Sequence, residues 1–513
     1  MRPCYAEKDV MAMEPRLETL IGLLRHRESP ANLALVRRAY QFAERAHKGQ
    51  TRITGEPYLN HPLATAVRLA EMKLGISVVL AGLLHDVLED TTLPPEEVRQ
   101  ELHKEFGDDV LGLVERVTKL GKVQYRGIDR YVENLRRMFL AMAQDVRAIF
   151  IKFADRVHNL ETLDVVPETK RRRIALESLD IYAPIANRLG MGEIRGLLED
   201  HSFKHAYPKE YAWVTGLLKE RLPKKTQYLE RIRKLTRQDL TMAGIKILEI
   251  HGRTKHLYSL YKKLLTHDKD IDKIHDLAAL RIVVPTVGDC YAAMGIIHQR
   301  WHPLKGRIKD YIAQPKPNGY QSLHTTVFCE DGEIVEIQIR TPEMHEEAEY
   351  GIAAHWQYDE GGKRASLAKE KLAWVKELAK IQREIQDSRQ FLRRLEDMKI
   401  DVFHNHIFVF TPNGDVIDLP EDATPVDFAY AIHTEVGNHC SGARINEVMS
   451  ALGTPLKSGD MVEIILDKNR KGPSPDWLKF VKTGNARDKI KVHSKQKLAD
   501  WLKQVLPPVR KKG

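Results

Sequence analysis

Long hydrophobic runs, paired cysteines and low-complexity stretches are all missing from this 513-residue chain. No apolar run approaches the roughly 18 residues of a membrane span, so no membrane partner is expected. Met1 to Glu18 holds no continuous apolar core, and no secretory signal is visible there. The four cysteines, Cys4, Cys290, Cys329 and Cys440, are far apart and form no C-x-x-C pair. Neither a disulfide framework nor a structural zinc site is supported, and a reducing cytoplasm fits. No internal repeat is evident.

What is present is ordinary for a soluble globular protein: 42% hydrophobic and 30% charged residues. The length calls for three or four cores rather than one. The net charge of +10 is not spread evenly. Residues 467–513 carry 14 Lys and Arg against 4 Asp, so the whole excess sits there and the remainder is balanced. Such a tail is either a solvated end or an electrostatic footprint for RNA. Trp477, Phe480 and Trp501 lie among its lysines, and composition favours a small core for them over base stacking.

Punctuation divides the chain further. After an extension at 1–30, residues 31–206 have helical periodicity broken by Pro62, Pro94, Pro167 and Pro184. Residues 207–240 read as a charged helical connector. Short β-rich runs at 244–250, 279–284 and 333–339 then alternate with helices over 241–360, predicting a mixed α/β domain. Charged helix returns at 361–403. A hairpin, His406–Phe410 and Val416–Leu419 around Pro412-Asn413-Gly414-Asp415, opens a small α+β module at 404–466. The basic segment 467–513 closes the chain.

Two groups of residues carry chemistry. His61, His85, Asp86 and Asp155 offer two imidazoles and two carboxylates, a donor set suited to a borderline divalent ion such as manganese with positions left for water and substrate. His85-Asp86 ends the apolar helical run Ala81–Leu84, where adjacent side chains can both reach inward. Burying His85, Asp86, Glu89 and Asp90 together without a cation would be costly. Later, Gly252-Arg253-Thr254-Lys255 places a fork donor and a point charge on a β-to-α turn, suited to phosphates. Asp276 and Glu336, if neighbours in one sheet, could bind Mg²⁺ and activate a ribose hydroxyl. Lys316–His324 has turn residues before an exposed aromatic, Tyr320, suited to stacking on a purine.

The first group, with Ala46–Gln50, His61-Pro62, Leu83–Val87 and Lys152–Asn159, resembles the HD-domain hydrolase of the Rel/Spo family, bifunctional enzymes that make and destroy the alarmone (p)ppGpp. The resemblance implies that His61, His85, Asp86 and Asp155 hold Mn²⁺ and that Glu89 and Asp90 orient or deprotonate the attacking water. It places Arg52 against guanine, with Thr54, Asn159 and Thr162 as further substrate contacts. Family members usually carry Ser at position 54 and a basic residue where this chain has Ile53. The second group resembles the family's synthetase domain across 244–358, including Met344-His345 and Ala353–Trp356. That implies transfer of the ATP pyrophosphoryl group to the 3′-OH of GDP or GTP, with Asp276 and Glu336 at Mg²⁺. Arg253, Lys255 and Arg281 would hold ATP phosphates; Tyr320 would stack on guanine beside Lys316, Asn318, Gln321 and His324. Arg307-Ile308-Lys309-Asp310 matches the R-x-K-D form of bifunctional members.

Residues 404–466 resemble a TGS domain, which in this family reads uncharged tRNA on the ribosome; His433 is the matching contact, or simply the end of a helix. Longer members continue into zinc-finger and ACT-like domains, where this chain stops as a shortened or naturally short form. The expected architecture is therefore multidomain: an all-α HD domain, an α+β mixed-sheet, nucleotidyltransferase-like synthetase domain and a small α+β TGS domain. A hydrolase-dominant member with weak synthesis, or a non-catalytic ribosome and tRNA sensor, are the alternatives. A uridylyltransferase-like reading fails because Asp268-Lys269-Asp270 lacks the Gly-Ser turn it needs. Two opposed activities would cycle futilely, so reciprocal switching through residues 207–240 is expected.

Overall fold

The computed structural model describes residues 17–89, 91, 94–121, 128–267, 269–274, 277–316, 318–357, 406–412, 416–420, 422–457, 460–467, 469–470 and 472–493. They fall into two compact units divided after Glu384. The helical stretch expected at 361–403 and Trp501 lie outside the described residues.

The first unit begins as helices: α1 (Leu17–Leu24), α2 (Pro30–Ala46), α3 (Asn60–Glu71), α4 (Ile76–Leu84), α5 (Pro95–Gly121), α6 (Ile128–Gln144), α7 (Arg147–Glu161), α8 (Glu168–Glu177), α9 (Ala183–Arg188) and α10 (Gly192–Ala206). α2 starts as its sequence dictates, with Ser29 accepting from the Asn32 N–H and Pro30 in the first turn. α4 is apolar on every face and buried from Val78 to Leu84. A helix of that kind can only be central, and α2, α3, α5 and α7 surround it.

α11 (Pro208–Met242) corresponds to the charged connector. Its charges leave one apolar face. Val214 and Leu218 pack with Phe203, Leu257 and Leu260; Leu229, Ile232 and Leu240 pack under the sheet against Leu280 and Ile282. The connector is thus part of the mixed-sheet core. That sheet contains β1 (Glu249–Thr254), β2 (Ala278–Val283), β3 (Lys309–Asp310), β4 (Leu323–Phe328) and β5 (Ile334–Arg340), in the order β1-β2-β5-β4-β3. β2 and β5 are parallel and the other neighbours antiparallel. The accompanying helices are α12 (Leu257–Thr266), α13 (Val287–Arg300) and α14 (Pro342–Tyr350).

The first strand corrects the sequence reading. It starts at Glu249, not Gly244. Gly244, at φ +78°, ends α11, and the Ile245 N–H returns to the Leu240 carbonyl at 2.9 Å, so this apolar stretch closes a helix. Arg253 consequently sits within β1 rather than on the turn after it.

In the second unit, β6 (His406–Phe410) and β7 (Val416–Pro420) form the expected antiparallel pair; residues 413–415 of their turn lie outside the described residues. α15 (Pro425–Ile432) and α16 (Thr434–His439) precede the three-stranded sheet of β8 (Cys440–Ile445), β9 (Val448–Ser450) and β10 (Val462–Leu466). Trp477 is core, packed with Val426, Ala429 and Val481. Asp427, fully buried, accepts from the backbone N–H groups of Thr424, Lys482 and Thr483 and from both threonine hydroxyls. It ties the start of the basic segment to α15.

Within the first unit, the helical part and the mixed-sheet part meet backbone to backbone. Ile352 N–H donates to Leu189 O at 2.9 Å. A Cβ on Gly351 (φ +57°) would stand 2.2 Å from Leu189 O, and one on Gly192 would stand 2.5 Å from Ala348 O. Gly351→Ala is therefore expected to cost about 2–3 kcal/mol at this seam. Amide hydrogen exchange of residues 187–193 and 348–353 should accelerate in the variant; unchanged protection there would refute the assignment.

Candidate active sites

The first site forms where the start of α3, the end of α4 and the middle of α7 meet. His61 is the second residue of α3, His85 follows the last turn of α4 still in helical backbone geometry, and Asp86 comes next. Asp155, His158, Asn159 and Thr162 lie along one stripe of α7 and its end, at spacings of three, four and seven. His61 Nε2 is 3.2 Å from Asp155 Oδ1 and 3.5 Å from Asp86 Oδ2, and His85 Nε2 is 3.2 Å from Asp86 Oδ1. One donor atom from each of His61, His85 and Asp86 lies within 4.8 Å of the others.

Hydrogen-bond polarity fixes both imidazole tautomers. His85 Nδ1 lies 2.8 Å from the Gly82 carbonyl, which only accepts, so Nδ1 carries the hydrogen. His61 Nδ1 faces His158 Nδ1 at 2.9 Å, and Arg52 Nη1 lies 3.0 Å from that same His158 nitrogen. Arginine only donates. His158 Nδ1 must accept from both, and His61 Nδ1 must carry the hydrogen. Each Nε2 therefore presents a lone pair to the carboxylates, and His85 Nε2 is buried with no hydrogen-bond partner among the described residues.

Charge states agree. Burial keeps the His61 imidazole below its usual range, and burial with His61 and Arg52 nearby pushes His158 down to about 3. Burial opposes ionisation of Asp155, but Lys152, which donates to it at 2.7 Å, outweighs that, and the carboxyl lies well below the carboxylate range. Burial likewise opposes Asp86, and His85 and His61 prevail. Neutral imidazoles and ionised carboxylates are what a divalent cation requires, so the residues fit one.

Around this centre, Tyr58 donates to Asp86 at 3.0 Å, and Arg52 donates to Asn159 at 2.5 Å. Arg52 and Asn159 are thus brought together, with Thr162 at the end of the same helix. Thr54 is half-buried and Ile53 is 71% exposed. Glu89 is half-buried just after Asp86, and its N–H donates to the Asp86 carbonyl. Asp90 lies outside the described residues.

The second site covers one face of the mixed sheet. Register aligns Arg253, Ala279, Glu336 and Thr326 in one row and His251, Arg281, Gln338 and His324 in the next of the same face. The alternate residues, Ile250, Leu280, Ile282, Ile337 and Ile339, form the core beneath. His324 Nδ1 lies 3.0 Å from Glu336 Oε1, and Tyr320 Oη lies 2.8 Å from His324 Nε2. Arg340, fully buried, donates to Tyr320 Oη at 2.8 Å and to Gln338 Oε1 at 3.0 Å; Gln338 donates to Glu336 at 3.0 Å. Since Arg340 only donates and ionised Glu336 only accepts, both chains run from Arg340 to Glu336. Burial would raise the Glu336 carboxyl, but the His324 bond outweighs it and keeps Glu336 far below its usual range.

Arg281 is buried and donates to Glu349 at 2.6 Å, with Arg340 Nη1 3.9 Å from the same carboxylate. Glu349, opposed by burial, is held at about 2 by Arg281, Arg253 and Arg340. Buried N–H groups on both guanidiniums have no hydrogen-bond partner among the described residues. This suits an anionic ligand. Tyr320 is half-buried rather than exposed, because Arg340 and His324 hold its hydroxyl; the Lys316 ammonium lies 5.8 Å from its ring. Asn318 donates to the Asn187 carbonyl at 3.3 Å, and Gln321 to that of Ile312 at 3.2 Å. Lys309 pairs with His324 across β3–β4, and Arg307 is exposed on the approach. Asp276 lies outside the described residues. His433 ends α15 and accepts from the Glu435 N–H at the start of α16, while remaining exposed.

Sequence reasoning gave no role to His158, Gln338, Arg340 or Glu349. The i, i+3 spacing from Asp155 could have found the first. The period-two series Glu336, Gln338, Arg340 could have found the next two.

Comparison with known proteins assigns three regions. Residues 39–192 match an HD domain, residues 252–363 the region found in RelA / SpoT proteins, and residues 407–466 a TGS domain. The chain is 48% identical over 91% of its length to a GTP pyrophosphokinase of Myxococcus xanthus, covering 61% of that protein. It is 45% identical over 96% of its length to guanosine-3′,5′-bis(diphosphate) 3′-pyrophosphohydrolase of Aquifex aeolicus, covering 70% of it. To the bifunctional (p)ppGpp synthase/hydrolase RelA of Mycobacterium tuberculosis it is 44% identical over 93%, covering 64%. The chain thus spans under two-thirds of the length of most of these relatives. An HD domain with a buried His/Asp group implies a divalent metal.

His158 is predicted to set cation affinity from outside the ligand set. Titrated with Mn²⁺ as a paramagnetic probe, His158→Leu should bind about 10–100-fold more weakly than wild type, and His158→Asn, which keeps an acceptor near Nδ1, should recover most of the loss. Equal affinity in all three would refute the tautomer argument.

Proposed function

The chain belongs to the RelA/SpoT family, and on that premise we propose that it is bifunctional: it hydrolyses (p)ppGpp to GDP or GTP plus pyrophosphate, and makes it by moving the pyrophosphoryl group of ATP to the 3′-OH of GDP or GTP. The observation that carries the reading is the buried meeting of two unprotonated Nε2 atoms with Asp86 and Asp155. This mixed nitrogen and oxygen set suits Mn²⁺, and His61, His85, Asp86 and Asp155 would hold it. When bound, the ion supplies Lewis-acid polarisation of water and of a phosphoryl oxygen. Glu89 and Asp90 would orient the attacking water and take its proton. Arg52 and Thr54, with Asn159 and Thr162 on α7, would fix the nucleoside so that the 3′-diphosphate enters the ligand cluster.

For synthesis, Arg253, Lys255 and Arg281 would hold ATP phosphates, Arg281 with buried N–H groups that have no partner among the described residues. Tyr320 would stack on guanine beside Lys316, Asn318, Gln321 and His324, with Arg307 and Lys309 at the edge of the sheet. Glu336 with Asp276 forms an all-oxygen pair suited to Mg²⁺ shared with phosphates. The chain from Arg340 through His324 holds Glu336 ionised, ready to accept the ribose hydroxyl proton once the His324 bond relaxes. The TGS domain and basic segment would meet uncharged tRNA and the ribosome, with exposed His433 as the candidate contact. Among the described residues no helix is long and apolar enough to cross a membrane; a cytoplasmic location fits these partners.

The test separates the two sites. Asp86→Ala should abolish Mn²⁺-dependent release of pyrophosphate from ppGpp and leave synthesis from ATP and GDP within about twofold. Glu336→Gln should lower synthesis on the order of 10²–10⁴-fold and leave hydrolysis intact. Loss of both activities in either variant, or no product from wild type in both assays, would overturn the reading.

A further inference from the structure

We infer that Asp200 is a positioning residue for the synthetase site, reaching from α10 of the helical domain through His256 to the strand end that carries Arg253 and Lys255. This deepens the proposed synthetase reading and rests on it. α10 packs on α7, which bears Asp155 and His158, and also on α12 of the mixed-sheet domain. Its Glu199 and Asp200 are both buried, at 5% and 8% exposure.

Neither carboxylate is used at a site described above. Asp200 Oδ2 lies 2.7 Å from His256 Nδ1, and Oδ1 accepts the Tyr258 N–H at 3.0 Å. Glu199 accepts from the Ser259 hydroxyl at 3.1 Å and from Lys262 at 2.9 Å. α12 begins at Leu257, so one of its first-turn backbone donors, the Tyr258 N–H, is answered by another domain's helix, where its own cap residue, His256, makes no side-chain cap bond. Two negative charges there also suit the positive end of α12.

The His256 ring is gripped a second way. A Cβ on Gly196, one turn before Asp200, would lie 2.2 Å from ring atoms Cε1 and Nε2. The imidazole is socketed over that glycine and bonded to that carboxylate. Only Lys255 separates it from the end of β1, and Lys255 N–H donates to the Leu277 carbonyl at 3.2 Å. β1 is an edge strand, paired only with β2 in its sheet. The cationic run Arg253–Lys255 is therefore held by β2 on one side and by the helical domain at its end. Lys255 acts on the Glu336 carboxylate, and Arg253 on Glu349, so a shift of this end misaligns cations across the whole site.

The experiment is calorimetric binding of a non-hydrolysable ATP analogue to the full chain, with steady-state synthesis alongside, for wild type, Asp200→Ala, His256→Asn and the double variant. Asp200→Ala should weaken analogue binding and raise the KM for ATP about tenfold, with the KM for GDP and Mn²⁺-dependent ppGpp hydrolysis within twofold of wild type. In the His256→Asn background the same change should add little, since the effect passes through that ring. Analogue binding unchanged in Asp200→Ala, equal rises in both KM values, or full additivity would overturn the inference. A wild type that binds the analogue and makes no product would sink the synthetase reading alone; one that binds no analogue would sink both.

Discussion

Charge removed from water has to be answered by a partner, and in this chain that demand shapes each region that does chemistry. Leaving one buried ion unpaired costs several kcal/mol. Asp155 is answered by Lys152 and Asn159, Arg281 by Glu349, and Asp427 by five donors from Thr424, Lys482 and Thr483. The sites are where the accounting is left open. Among the described residues His85 Nε2 is buried with no hydrogen bond, and the guanidiniums of Arg281 and Arg340 keep N–H groups without partners. One opening accepts a cation and the other offers itself to an anion. The signs are those of a metal ion and of a nucleotide phosphate.

The open positions are held by networks whose direction cannot reverse. A donor-only group enters each: Arg52 donates to the His158 Nδ1 that also faces His61 Nδ1, and Arg340 stands before Tyr320 and His324. An imidazole between a fixed donor and a fixed acceptor has one tautomer available. This matters more than the strength of any single bond, since a neutral hydrogen bond contributes only about 1 kcal/mol net. A histidine whose proton sits on the nitrogen facing the site cannot bind a metal through that nitrogen. Arg52 thus has two reasons to be an arginine: it meets Asn159 at the edge of the pocket, and its inability to accept orients a ligand behind it.

Much of this was legible in the residues. The apolar run Ala81–Leu84 ending in His85-Asp86 announced a buried helix with a polar end, and the helix stops at Leu84. The runs at 279–284 and 333–339 became β2 and β5 within a residue of their ends. Arg253 and Glu336 were singled out, and register sets them in one row. What failed did so where a tertiary contact decided. Residues 244–248 are as apolar as a strand, but Gly244 closes a helix there and Ile245 is drawn into its end. Tyr320 follows turn residues and should be exposed, yet a buried arginine four strand residues past Glu336 holds its hydroxyl. Residues 207–240 read only as a charged helical connector because their apolar positions are spread over about ten turns, too sparse to register until the sheet beneath them is known. Spacing from Asp155 could have pointed to His158, but Asp200 acts through His256 on another element, and no spacing rule reports that.

The seam between the helical and mixed-sheet parts has a composition that would suit the two reactions proposed for this chain. An apolar seam is non-directional and tolerates sliding by an ångström at little cost. This one is built of glycine backbone set against backbone at Leu189–Gly192 and Ala348–Ile352, and of Glu199 and Asp200 reaching across to α12. Backbone contacts at that distance have no slack. A carboxylate that loses His256 and the Tyr258 N–H while still buried is unstable, so partial disengagement is penalised more than full separation with hydration. α10 also packs on α7, the helix of Asp155, so this seam and the first site share one helix. If both proposed reactions belong to this chain, two discrete arrangements that favour different sites would be the physical minimum for keeping them from running together.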